Sequence, residues 1–111
     1  MACTFRDYET GVGAMDYTLA LFPTHAWQVI SVRLHVIGIG WVGDFTVTLD
    51  SAELPAYNVV FFRQPMAGVT DVYWEPDRPV VLRPEDNLRF QWASKIQDPW
   101  GLETIWNLGA A

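Results

Sequence analysis

Nineteen residues, Trp74 to Trp92 (WEPDRPVVLRPEDNLRFQW), hold four carboxylates, three arginines and two tryptophans. Acids this close in sequence are raw material for general acid–base catalysis, provided two of them converge on one substrate. They are equally raw material for a hard cation, which wants several oxygens at once. Asp71, Glu75 and Asp77 come nearest to such a ligand set. Their spacing does not match an EF-hand loop, and Pro76 stiffens the middle. The simpler reading is a solvated loop whose carboxylates cap nearby backbone amides.

The remaining reactive side chains are sparse. His25 and His35 are the only histidines, and neither has a metal-ligand companion at His-x-x-x-His or Cys-x-x-Cys spacing. Cys3 is the single cysteine, with Arg6 as its one activating neighbour and no positioned base. No Gly-x-Ser-x-Gly elbow and no glycine-rich phosphate loop occurs. The expectation is therefore a chain without catalytic residues, metal ligands or cofactors, and not an enzyme.

Six tryptophans in 111 residues are more than a small core requires. Trp92 falls on an inward-facing position. Trp41, in Gly40-Trp41-Val42-Gly43, and Trp100, in Asp98-Pro99-Trp100-Gly101, fall in turn-like sequence where burial within the domain is harder. Exposed loop aromatics anchor protein interfaces or stack on sugars. Interface anchoring is favoured, because only Asp44 and Asp98 stand close by as sugar-binding acceptors. Phe5 and Tyr8, near the N-terminus, join Trp41 and Trp100 as interface candidates.

Composition narrows the partners. A formal charge of −6 with seven basic residues, one of them lysine (Lys95), counts against nucleic acid, which is held by clustered Lys and Arg. The most apolar long window, Ala26 to Gly43, contains Arg33, His35 and three glycines, a poor membrane span and a good pair of strands. The opening MACTFRDYETG carries charges where a secretion signal needs an apolar run, so none is expected. With one cysteine the fold does not depend on an internal disulfide.

The elements that must position these residues read as strands. Ile30, Val32, Leu34 and Val36 alternate with Ser31, Arg33 and His35; Phe45, Val47 and Leu49 alternate with Thr46, Thr48 and Asp50; Leu88, Phe90 and Trp92 alternate with Arg89 and Gln91. Tyr57 to Phe62 is apolar on both faces, as in a central strand. Val80 to Leu82, Leu102 to Trp106 and Tyr17 to Phe22 complete the set. Turn signals stand between them; in the turn Pro84 to Asn87, Pro84 pre-sets φ and Asp86 or Asn87 is free to bond local backbone amides. No window carries a helical stripe. The chain is expected to be all-β: one antiparallel β-sandwich, jelly-roll or immunoglobulin-like, over residues 17 to 106. Residues 1 to 16 are expected to form a flexible N-terminal arm, disordered or crossing to a neighbouring subunit, and 107 to 111 a short tail.

The run Ile30-Ser-Val-Arg-Leu-His-Val36, then Asp44-Phe-Thr-Val-Thr-Leu-Asp50-Ser51-Ala52 and Tyr57-Asn-Val-Val60, then Val69-Thr-Asp-Val-Tyr-Trp-Glu-Pro-Asp77 leading to Pro79-Val-Val-Leu-Arg-Pro-Glu-Asp86, and the closing Trp100-Gly-Leu-Glu-Thr-Ile-Trp106 resembles, over roughly residues 17 to 106, the small β-sandwich structural proteins of tailed bacteriophages. Where such proteins often have Pro-Gly-Asp, this chain has Pro84-Glu85-Asp86. The resemblance implies a virion component on the capsid exterior or an appendage, made in the host cytoplasm. It further implies a homo-oligomer, often three-fold, that binds the major capsid protein or another virion protein as a decoration or cement subunit. The other function it leaves open is a carbohydrate- or receptor-binding module of a head or tail fibre.

Overall fold

A computed structural model describes residues 4–20, 26–37, 43–50, 59–78, 80–83, 86–93 and 99–108. The chain is all-β. Its strands are β1 (Thr4–Val12), β2 (Met15–Ala20), β3 (Trp27–Val36), β4 (Asp44–Asp50), β5 (Val59–Pro65), β6 (Asp71–Trp74), β7 (Val80–Leu82), β8 (Asn87–Trp92) and β9 (Pro99–Leu108). They form two antiparallel sheets, ordered β1-β9-β3-β6, with β7 also on β3, and β2-β8-β4-β5. These are called the front and back sheets below.

The pairing is nested. β4 pairs with β5, β3 with β6 and β7, β2 with β8, and β1 with β9. A single long antiparallel ribbon, folded at β4–β5 and wound around a core, gives this pattern, and it is the winding of a jelly roll. The alternative left open by the sequence, an immunoglobulin-like sandwich, is thereby closed.

Alternation sets the core. Phe45 and Val47 of β4 and Leu88, Phe90 and Trp92 of β8 are buried, as their spacing predicts. Each such side chain contributes about 1.5–3 kcal/mol through removal from water. On β3 the alternation holds for Val32, Leu34 and Val36 but breaks at Ile30, where a bulge between Val29 and Ser31 resets the phase. Trp27 and Val29 therefore point inward, and Ile30 is only half-buried. A one-residue insertion shifts every earlier side chain to the other face, and the sequence carries no mark for it.

Three expectations are corrected. First, the stretch read as an arm runs as strand: Thr4 to Val12 pairs in unbroken register along β9, and Met15 already begins β2. Its weak hydrophobic alternation reflects its place at the front-sheet edge, where its inward positions include Asp7, Glu9 and Gly11. Second, the apolar run before Phe62 is not a central strand. β5 is the edge of the back sheet, and Val59 and Val60 are exposed. A bulge opposite Val47 and Thr48 brings Phe61 and Phe62 of β5 both onto Trp74, at 6.3 and 5.5 Å between ring centroids. Third, the tryptophans are mostly core. Trp27, Trp92, Trp100 and Trp106 are buried and Trp74 is half-buried.

Candidate interface

The acid-rich stretch resolves into local structure. The Asp86 carboxylate accepts a hydrogen bond from the Arg83 amide at 3.1 Å while the Asp86 amide donates to the Arg83 carbonyl, closing the turn before β8. Arg89, on the outer face of β8, makes a two-pronged pair with Asp16 at 2.9 Å for each bond. That pair holds the Asp16 carboxyl below its usual range and the Arg89 guanidinium above its own, hydrogen bonding being the larger cause in each. Among the described residues no group of three His, Cys, Asp or Glu comes together. His35 stands on the wet face beside Arg33, with its Nδ1 3.0 Å from Asp71.

The four predicted interface residues separate. Trp41, like His25 and Cys3, lies outside the described residues. Trp100 is not in a turn: it is a β9 residue, 7% exposed, whose indole N–H donates to the Gly13 carbonyl at 3.0 Å. Gly11 lies directly opposite, so close that a Cβ there would sit 2.3 Å from Trp100 Cζ2. A residue wedged this way anchors its own fold. Phe5 stacks on Trp106 with centroids 4.5 Å apart and keeps one side toward solvent. Tyr8 is 64% exposed on the outer face of β1, with the Arg6 guanidinium 5.7 Å from its ring.

Tyr8 belongs to a larger surface that its sequence neighbourhood does not announce. Strand register aligns Tyr8, Glu103, Arg33 and Tyr73 in one row across the outer front sheet. The next row is Thr10, Gly101, His35 and Asp71. Beyond it Val12 lies against Pro99, whose carbonyl accepts from the Ile37 amide. Gly101 adds no side chain, and a Cβ there would meet nothing within 4 Å. The result is a furrow of about 410 Å³ at Gly101, lined by Thr10, Val12, His35, Ile37 and Pro99 and reached also by Trp100, which thus meets the surface here while most of it is buried.

Tyr8, Val12, Ile37, Tyr73 and Val81 account for five of the eight large apolar side chains exposed among the described residues, and all five lie on this face. The outer back sheet is different. Its rows read Thr18, Arg89, Thr48 and Val60, and Asp16, Gln91, Thr46 and Arg63. Threonines and paired charges are the ordinary solvated face of a sandwich. The front face is the unusual one, since a solvated sheet normally turns its apolar residues inward.

No family model matches the chain, and no curated protein matches it in sequence. Among solved structures it is similar to a chain of the Bacillus endospore appendages described as disulfide-linked pili, at 11% identity and a TM-score of 0.44, covering 100% of this chain and 92% of that one. It is also similar to a chain of infectious bursal disease virus, Gx strain, at 9% identity and a TM-score of 0.40, covering 97% of this chain but 31% of that one. At these scores neither likeness bears on what the protein does.

Proposed function

We propose that the protein is a non-enzymatic structural subunit of a virus particle, a capsid decoration or cement protein that self-associates and docks on the particle exterior. The observation that carries this reading is the contrast between the two outer faces. Subunits that work by surface complementarity need an exposed apolar and aromatic patch with a polar rim, and the front sheet offers one. The sequence resemblance to phage structural proteins supports the same role. The partners it names are a second copy of the chain and the major capsid protein or another virion protein.

The test is where the protein sits. A tagged subunit added to particles lacking it is expected to decorate their exterior in a regular array, seen by electron microscopy. Absence from the particle, with the tagged protein folded, sinks the proposal.

A glycan-binding module is the second reading, and one hollow favours it. About 320 Å³ is bounded by Phe61, Trp74, Pro76, Asp77, Arg78 and Val80, an aromatic wall beside a carboxylate and a guanidinium. Trp74 is already stacked on Phe61 and Phe62, so its ring has less free face for a sugar than a dedicated platform would.

A further inference from the structure

We infer that two copies of the chain pair front sheet to front sheet, about a two-fold axis that runs parallel to the strands between β3 and β9. The inference rests on the reading of the protein as a self-associating subunit and names the surface used.

Charge carries the choice of occupant. The chain is strongly acidic, at −6, so two copies repel across most of their surfaces. On the front face cations and carboxylates are interspersed: Arg6 lies 3.4 Å from Glu103, Arg33 stands across from Glu103, His35 is paired with Asp71, and Glu75 accepts from the Tyr73 hydroxyl at the rim. The register then makes this mixed face complementary to itself. The proposed axis exchanges β9 with the partner's β3 and β1 with the partner's β6. Glu103 meets the partner's Arg33, and by symmetry Arg33 meets the partner's Glu103. Thr10 meets the partner's Asp71, Tyr8 meets the partner's Tyr73, and Pro99 meets the partner's Ile37. The empty floor at Gly101 receives the imidazole of the partner's His35. A contact of this isologous kind closes on itself. Aligned packing of two twisted sheets at about 30° keeps the rows nearest the axis in register.

Area permits the pairing. β1, β9 and β3 are nine to ten residues long, and β6 and β7, of four and three residues, share the place beside β3; at about 4.8 Å between strands and about 3.3 Å per residue these present roughly 600 Å². Two such faces bury roughly 1,200 Å², the low end of stable specific interfaces, and attachment of both copies to a particle would reinforce the pairing. Its salt dependence follows from the two symmetry-related Arg33–Glu103 contacts.

A charge swap tests the geometry. Arg33→Glu and Glu103→Arg each place like charges against each other twice in a homodimer, and each is expected to weaken self-association by roughly tenfold or more. Mixing the two variants creates a heterodimer in which both contacts are attractive, and association is expected to return to within about threefold of the parent, since only the pairing has been inverted. Sedimentation velocity reads the outcome, with circular dichroism confirming that both variants are folded. Gly101→Tyr fills the furrow where the structure is open and is expected to abolish pairing without unfolding the chain. Parent-like association of the single variants, or failure of the mixture to recover, overturns the inference while leaving a self-associating subunit intact. A parent chain that stays monomeric throughout overturns both.

Discussion

Tyr17 shows how one hydroxyl can hold two sheets together at an edge. It lies on β2 in the back sheet, stacked on Phe90 at 6.1 Å, and its OH donates to Asp7 of β1 in the front sheet at 2.8 Å. Burial first, and then the hydrogen bond to Asp7, raise the Tyr17 pKa well above its ordinary value. Because the folded value is raised, the linked stability is full below the unfolded value of roughly 10 and is lost as pH rises beyond it. Tyr17→Phe is expected to cost about 1 kcal/mol at neutral pH, the net worth of one such hydrogen bond. It is also expected to flatten the alkaline fall in the urea midpoint above about pH 10, where the tyrosinate forms. An alkaline limb as steep in the variant as in the parent would remove the link. Nothing in the sequence ties residue 17 to residue 7. By contrast, the inward places of Phe90 and Trp92, the outward place of Arg89 and the Asp86 turn cap were legible, because each depends on neighbours within a few residues.

β1 is the element for which local signals fail. Phe5, Asp7, Glu9 and Gly11 occupy its inward positions, so the apolar alternation that marks β3, β4 and β8 is missing, although all nine residues pair with β9. Inward carboxylates on an edge strand discourage further strands from adding to it, which suits an edge that is to stay open while the sheet face does the docking. Gly11 has a second purpose: it lets β1 lie over the Trp100 indole. Gly11→Ala forces a methyl into the buried Trp100 ring, which has little room to move, and is expected to destabilise by about 1–3 kcal/mol as overpacking does. Thermal melts check this, with Gly101→Ala as the comparison expected to melt near the parent. Equal melting of the two variants would contradict the packing described at β1. The same long-range register explains why the front-face rows were not legible. Tyr8 and His35 were noticed singly, but only the pairing of β1, β9, β3 and β6 sets them beside Glu103, Arg33, Gly101 and Asp71.

As a whole molecule the chain is a two-sheet jelly roll with unequal outer faces. The all-β class, the single sandwich and most strand positions followed from period-two patterning, which is local. Strand order, the bulges at Ile30 and Phe61 and the edge position of β5 depend on tertiary pairing and did not. The central claim is that the front sheet is the self-association surface, and static light scattering over a concentration series tests it most directly. The parent mass is expected to rise from 12.6 kDa toward twice that value. Tyr73→Lys, on the front face, is expected to hold the mass at the monomer, and Thr48→Lys, on the back face, to leave the parent curve unchanged. A parent that never leaves the monomer mass, or a Thr48→Lys variant that fails to associate while Tyr73→Lys still does, would contradict the account.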